Sequence, residues 1–343
     1  MEFLSSKQSG EKLDEKKAVV VVKNETQQEG EGEGEDDEDV APIDRIIIPS
    51  DIVDINENDD YIFIVGTQGS KVTKIGGIEN MPNLKELCLR SNLLSNMNGI
   101  ETCTLLEKLE LYDNHISALT DLENLNNLKI LDISYNVIRD MSLVSCCPLL
   151  EEIYIAQNKL RTISGINHLK NLKLLDLGAN RIRSMENIPN LVSLQSLWLG
   201  KNKIELIPDL SSLKMLKQLD IQHNRLKEIT GIEECINLEE LYLAYNQISN
   251  INGLPNANLK TIDLSANPIE NINNLPILLK LEDLWLTKSE IKTYDDISIL
   301  SDLSTLTTLY LEHSPIASLT DYRVEIPKLI PGLEDLDANP IVK

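Results

Sequence analysis

Carboxylates and large aromatic rings recur in this chain at a fixed step. The residues enclosed by two aliphatic neighbours in an L-x-L pattern are Cys88, Glu110, Asp132, Tyr154, Asp176, Trp198, Asp220, Tyr242, Asp263, Trp285 and Tyr310. Both tryptophans and five of the 13 aromatic residues fall in that one series, with Tyr112, Tyr135 and Tyr245 close beside it. Rings flanked by acids suit contact with another protein, because Trp and Tyr concentrate binding energy at interface centres. Cross-strand pairs also stabilise a sheet by about 0.2–1 kcal/mol each, which accounts for some of the tyrosines. Two solvent-facing tryptophans set among acids go beyond that need, since wet aromatic surface is a liability. Catalytic patterns are missing by comparison. His115, His168, His223 and His313 share no spacing, and the five cysteines include no CxxC, so neither a zinc site nor a disulfide frame is expected. No glycine-rich phosphate loop or nucleophile triad stands out. The expectation is a binding protein, not an enzyme, with no cofactor and no metal.

The elements that must position these residues come from an internal repeat. The pattern LxxLxLxxNxI runs through LKELCLRSNLL (84–94), LEKLELYDNHI (106–116), LKILDISYNVI (128–138), LEEIYIAQNKL (150–160), LKLLDLGANRI (172–182), LQSLWLGKNKI (194–204), LKQLDIQHNRL (216–226), LEELYLAYNQI (238–248), LKTIDLSANPI (259–269), LEDLWLTKSEI (281–291) and LTTLYLEHSPI (306–316). Its asparagines are Asn92, Asn114, Asn136, Asn158, Asn180, Asn202, Asn224, Asn246 and Asn267, at a step of 22 seven times and then 21. Self-similarity of this kind predicts an α/β repeat fold, a leucine-rich-repeat solenoid of about 11 repeats of 22 residues. Its strands form a parallel concave sheet, with short helical or 3-10 segments on the convex side. The leucines of LxLxx point inward and the intervening residues outward, as the period of a strand requires. Each coil buries its leucines only against its neighbours.

The asparagine ladder is expected to satisfy peptide groups that each turn leaves buried. Leaving such a group unpaired costs about 1–3 kcal/mol. Ser289 and Ser314 replace Asn in the last two repeats, and their shorter reach predicts looser coils there. Cys103, Cys147 and Cys235 share the phase of Leu125, Leu169, Leu191 and Leu213, so they read as small buried apolar residues. Cys88 lies on a strand and is expected to be exposed.

Four segments follow. Residues 1–44 hold 14 acidic and 5 basic side chains, and Glu29–Asp39 (EGEGEGEDDED) is eight carboxylates and three glycines. Self-repulsion and glycine entropy predict a disordered acidic tail there. Residues 45–80 read as an N-terminal cap and degenerate coil, with Ile62, Ile64, Val72 and Ile75 facing inward. The repeats occupy 81–317, and 318–343 form a C-terminal cap in which Leu329, Leu333 and Leu336 cover the last coil. The whole chain of 343 residues carries a net charge of −23, which argues against nucleic acid as the main partner. No apolar stretch approaches the roughly 20 residues that span a bilayer, and no secretory layout opens the chain. A soluble intracellular protein with no membrane partner is expected.

The outward series defines a concave arc of roughly 50 Å, taking about 4.8 Å per strand. A globular partner of about 300 residues, with a radius of gyration near 19 Å, matches that arc. The carboxylates predict a partner with a Lys- and Arg-rich face.

At these residues the chain resembles a known family. The stretches LCLRSN, LELYDN, LDISYN, LGANRIRSMENI, LWLGKNKI and LEELYLAYN look like the leucine-rich-repeat regulatory subunit of protein phosphatase 1, the regulatory subunit 7 family. The resemblance spans residues 60–340 and includes the cap at Tyr322, Arg323, Leu333, Leu336 and Asp337. It implies a non-catalytic subunit that binds the protein phosphatase 1 catalytic subunit through its concave face and controls its assembly, localisation or activity. It further implies a ternary complex with a disordered inhibitor protein, and residence in nucleus and cytoplasm. The family's phosphatase contacts map onto Asp132, Tyr154, Asp176, Trp198, Asp263, Asp283, Trp285 and Tyr310. Glu110, Tyr112, Asp220, Tyr242 and Tyr245 are further candidates from the residues alone. The short basic-x-Val/Ile-x-Phe/Trp docking peptide of many phosphatase partners is absent: neither Phe3, Phe63, Trp198 nor Trp285 follows Val or Ile at that distance. The alternative is a generic leucine-rich-repeat scaffold in another assembly, ribonucleoprotein or cytoskeletal.

Overall fold

Buried asparagines tie each coil to the next. The computed structural model describes residues 58–67, 71–255, 258–270, 272 and 278–341; the expected acidic tail, 1–44, lies outside them. Asn180 shows the tie. Its Oδ1 accepts the Leu160 N–H at 2.9 Å, and its Nδ2 donates to the Ile155 carbonyl at 2.8 Å and the Leu177 carbonyl at 3.0 Å. One side chain thus joins backbone groups of two successive coils. The same set recurs at Asn114, Asn136, Asn158, Asn202, Asn224, Asn246 and Asn267. The residue before each ladder asparagine is left-handed, with φ between 52° and 56°, and in no case is it glycine. That conformation costs about 1–2 kcal/mol. It is held by its own N–H, as where Tyr135 donates to the Ala156 carbonyl of the next coil at 2.9 Å.

This tie sets the sheet. Strands β1 (Tyr61–Val65), β2 (Glu86–Arg90), β3 (Lys108–Glu110), β4 (Ile130–Asp132), β5 (Glu152–Tyr154), β6 (Leu174–Asp176) and β7 (Ser196–Trp198) pair in sequence order. They continue into β8 (Gln218–Asp220), β9 (Glu240–Tyr242), β10 (Thr261–Asp263), β11 (Asp283–Trp285), β12 (Thr308–Tyr310) and β13 (Asp335–Leu336). All these pairs are parallel, and β14 (Asn339–Pro340) closes the edge antiparallel to β13. The eleven predicted repeats supply β2 to β12, and Leu, Ile and Cys side chains from every coil join one continuous core from Ile62 to Leu336. The outer turns are short; 3-10 segments occur at Ser142–Cys146, Ile188–Asn190, Asp295–Asp302 and Pro315–Ser318.

The two ends differ from a plain repeat. Ile62, Ile64, Val72 and Ile75 are buried, as their phase predicts, and β1 adds a full strand to the sheet. At the far end a helix, α1 (Tyr322–Leu329), buries Tyr322 and Ile326, while Leu333 and Leu336 are buried and Leu329 is partly so. Asp337 follows Leu336, the partner of Leu309, and so stands opposite Tyr310 at the end of the outward line. Its Oδ1 accepts the Leu311 and Glu312 N–H groups at 2.8 and 3.0 Å, and Tyr322 Oη donates to its Oδ2 at 2.9 Å.

The serine coils carry fewer ties. Ser314 Oγ accepts the Ser289 N–H at 3.0 Å, lies 2.9 Å from Ser289 Oγ and donates to the Leu286 carbonyl at 3.1 Å. The two replacements therefore bond to each other, a pairing that the repeat pattern does not predict. Upstream, the Ile269 N–H turns to Asn267 of its own coil instead of reaching a side chain of the next. Cys103, Cys147 and Cys235 are buried as expected. Cys88 is not exposed as its outward position suggests: only 4% of it is accessible. It lies between Phe63 and Glu110 in the strand register, beside the Arg90–Glu110 ion pair. Burial is the main cause pushing its thiol up to about 12, with the Glu110 charge adding to it.

Asn180→Ala leaves the Leu160 N–H unpaired and removes one donor from each of two carbonyls, which keep Asn202 at 3.0 Å and Asn158 at 3.4 Å, so it is expected to cost about 3 kcal/mol, against about 1 kcal/mol for Ser289→Ala. Urea titration followed by circular dichroism distinguishes the two, and equal costs would contradict this role for the ladder. In a thiol-reagent assay on native protein at pH 8, the half-buried Cys146 is expected to react first, with the four buried cysteines reacting only after unfolding.

Candidate functional site

Parallel register carries one outward residue of each repeat into a single line along the concave sheet. Cys88 pairs with Glu110, Glu110 with Asp132, Asp132 with Tyr154, Tyr154 with Asp176 and Asp176 with Trp198. The line continues through Asp220, Tyr242, Asp263, Trp285 and Tyr310. From Asp132 to Trp285 it alternates strictly between aspartate and ring. Phe63 heads the line opposite Cys88. The repeat pattern missed it because its strand lacks the asparagine, although the alternation in YIFIV marks it.

The alternation has a geometric consequence. An aspartate is short, so at Asp263 the rings on either side meet above it. Tyr242 and Trp285 have centroids 6.4 Å apart across the coil that carries Asp263, and that aspartate is 7% exposed. Trp285 also meets Tyr310 edge-on at 5.8 Å. The tryptophans are therefore half-buried, not open to solvent as their outward position alone suggests. Trp285 Nε1 is buried and has no acceptor among the described residues.

Each aspartate accepts a hydrogen bond from the N–H two residues on. The donors are Ser134 to Asp132 at 3.0 Å, and Gly178 to Asp176, Gln222 to Asp220 and Ser265 to Asp263 at 2.9 Å each. Those bonds favour the charged form, but burial outweighs them. Desolvation raises all four carboxyls above the usual range, and Asp176, with Asp132 and Asp220 adding repulsion from either side, reaches about 6. Among the described residues, no Lys or Arg pairs with Asp176, Asp220 or Asp263. Arg90 acts on Asp132 and Lys201 on Asp220, so the centre of the stripe is short of counter-charge at Asp176 and Asp263, which a cationic side chain from outside would stabilise.

The remaining candidates separate by position. Glu110 is already neutralised, with Arg90 at 2.8 Å and Lys108 at 3.3 Å, and Arg90 also lies 3.6 Å from Asp132. Asp283 stands one column over, accepting from Thr261 Oγ1 at 3.1 Å. In that same column Glu152 and Glu240 accept the Tyr154 and Tyr242 hydroxyls at 2.8 and 2.9 Å, which holds both rings upright. Tyr112 meets Tyr135 at 4.9 Å and lies under the Arg90 guanidinium at 5.6 Å. Tyr245 is stacked on His223 at 4.2 Å. Tyr135 and Tyr245 occupy the left-handed turn residue, so they form the rim and not the floor. Beside the central floor, Ala156, Gly178 and Gly200 leave Trp198 without tall neighbours on that side. A Cβ on Gly200 would lie 3.2 Å from Asp220 Oδ1, so the small residue also makes room for the carboxylate.

The coil itself is that of known proteins. A family model described as leucine rich repeats (two copies) matches residues 148–191, 214–256 and 236–277. The fold is therefore a leucine-rich-repeat solenoid. It superposes on an internalin (inlF) from Listeria monocytogenes with a TM-score of 0.64 at 25% identity, covering 82% of this chain and 87% of that one. A leucine-rich-repeat protein of Leptospira interrogans gives 0.63 at 28% identity, covering 78% and 76%. The functional domain of InlJ from Listeria monocytogenes gives 0.66 at 24%, covering 79% and 61%, a likeness of fold alone. No curated protein matches the chain in sequence. Leucine-rich-repeat scaffolds are suited to protein–protein interaction and are in general non-catalytic. Among the described residues no group of three or more potential metal ligands occurs, and no helix is long and apolar enough to cross a membrane.

The raised carboxyl of Asp176 makes a pH-dependent prediction. Its folded value, about 6, exceeds the ordinary aspartate value of 3.8, so its contribution to stability is fully present below the lower value and is lost as pH rises through the upper. Asp176→Asn is therefore expected to raise stability at pH 7.5 by about 2 kcal/mol, with the gain shrinking towards zero near pH 4. Thermal melts across that range measure it; a loss of stability at every pH would contradict the desolvation account.

Proposed function

We propose that this chain is a non-catalytic regulatory subunit that holds the catalytic subunit of protein phosphatase 1 on its concave face and controls its assembly, localisation or activity. The observation that carries the reading is the alternating line of rings and unpaired carboxylates. A soluble sheet does not need four desolvated acids, and folding with so little counter-charge among them costs stability that a basic partner returns. The resemblance in strand residues, from LCLRSN to the cap at Tyr322 and Asp337, supports the choice of phosphatase among basic-faced proteins. The partner's Lys and Arg side chains would enter between the rings at Asp176, Asp220 and Asp263. Trp198, Trp285 and Tyr310 would cover its apolar surface. Asp132, Tyr154 and Asp283 would extend the contact, and Glu110, already paired, would add little. A disordered inhibitor protein in a ternary complex and residence in nucleus and cytoplasm belong to the same reading.

Purified chain mixed with the catalytic subunit is expected to elute as a 1:1 complex. Trp198→Ala and Trp285→Ala are each expected to weaken it by about 2 kcal/mol, some thirtyfold. Asp176→Asn, stabilising to the fold, is expected to weaken the complex as well, which separates a binding role from a folding one. Wild-type affinity in all three variants would remove the concave face from the proposal. Failure of the phosphatase to bind, with the same variants losing a different protein, would favour a leucine-rich-repeat scaffold of another assembly.

A further inference from the structure

One flank of the solenoid carries a run of cations that the concave reading does not use. Past each ladder asparagine the chain leaves the sheet, and the first and third residues of that turn face outward. In the third to seventh repeats these ten positions hold Arg139, Lys159, Arg161, Arg181, Arg183, Lys203, Arg225 and Lys227, with Glu205 the one acid and Val137 the one apolar residue in the set. Register stacks them: the N–H groups of Lys159, Arg181, Lys203 and Arg225 donate to carbonyls of the preceding coil at 2.8–2.9 Å. Like charges thus stand about 4.8 Å apart from coil to coil, an arrangement that costs stability unless an anion covers it.

The opposite flank shows the contrast. There the outward residue alternates in sign through Lys85, Glu107, Lys129, Glu151 and Lys173, and again through Lys217, Glu239, Lys260 and Glu282. Lys129 pairs with Glu107, Lys173 with Glu151, and Lys260 with Glu239. On the cationic flank, Arg225 meets Glu205 at 3.6 Å, and the nearby Asp140 carboxylate is engaged by Ser142 and Ser164. Arg139, Lys159, Arg161, Arg181, Arg183, Lys203 and Lys227 have no side-chain partner among the described residues. A stripe of eight cations and one acid over five coils, in a chain of net charge −23, calls for an extended polyanion.

The chain carries one. We propose that Glu29–Asp39 binds along this flank of its own molecule, pairing its eight carboxylates with the stacked cations of the third to seventh repeats. The lengths agree. Eleven residues reach about 36 Å when extended, and four coil steps measure about 19 Å. The link from Asp39 to Asn58 spans up to roughly 60 Å, more than the distance of about 34 Å from β1 to β8 along the sheet. Docking in cis leaves the concave face open and closes the flank to other polyanions. The proposal is independent of which protein binds the concave face.

Zero-length carboxyl-to-amine cross-linking of the full chain at low salt, followed by trypsin digestion and mass spectrometry, tests it. Cleavage after Lys23 and Arg45 releases the acidic segment as one peptide. That peptide is expected on Lys159, Lys203 and Lys227, and those links are expected to vanish at about 0.5 M salt, where the Debye length falls below about 5 Å. The triple variant Arg161→Glu, Arg181→Glu, Arg183→Glu reverses exposed charges that touch nothing else, and is expected to lower those links about fivefold or more. Links spread over lysines of both flanks, no loss in the triple variant, or links found only between isotopically distinct chains would each overturn docking in cis.

Discussion

The whole molecule rests on one buried hydrogen-bonding group repeated at a fixed interval. The ladder carboxamide joins a backbone N–H of the preceding coil, a carbonyl of the coil before its own and a carbonyl of its own turn. An amide is the side chain able to donate and accept at that spot with enough reach. Once the tie is made, the next coil can sit at one height and one register only. The strand pairs then follow, and with them the line of outward residues. Where serine stands in for asparagine, the coil keeps its leucines but loses bonds to its neighbour. Where the solenoid ends, Asp337, opposite Tyr310, accepts two backbone N–H groups and a tyrosine hydroxyl, so the outward line finishes in a buried acceptor that ties the cap to the last coil.

Register turns a spacing in sequence into a surface with its own electrostatics. Alternating short acids and tall rings lets the rings close over the acids, and desolvation then lifts the carboxyls. Two isolated aspartates on a flat sheet would keep ordinary values. The fold therefore bears an energetic cost at its concave centre, in line with the general observation that stability is sacrificed at functional sites. The two flanks obey the same geometry with opposite outcomes: alternating signs neutralise one, while a large excess of cations leaves the other charged.

Much of this was legible in the residues. The 22-residue step announces the solenoid, and the period of two inside each strand announces which side chains face out. Burial of Cys103, Cys147 and Cys235 follows from phase. Other features depend on neighbours that are distant in sequence. Cys88 reads as an exposed strand residue until the Arg90–Glu110 pair is placed beside it. The tryptophans read as wet until Tyr242 and Tyr310 are seen against Trp285. Phe63 escapes the repeat pattern because the first strand lacks the asparagine that defines a repeat. The Ser289–Ser314 bond escapes it because each serine looks like a loss when read alone.

The central claim is that the hollow side of the coil, and no other surface, receives a folded protein. Hydroxyl-radical footprinting of the chain alone and with the phosphatase catalytic subunit measures this directly. Trp198, Tyr242, Trp285 and Tyr310 are expected to lose reactivity in the complex, while Tyr294, on the outer turn before the 3-10 segment Asp295–Asp302, is expected to keep it. Unchanged oxidation of the four floor rings, with protection appearing on the outer turns, would contradict the account.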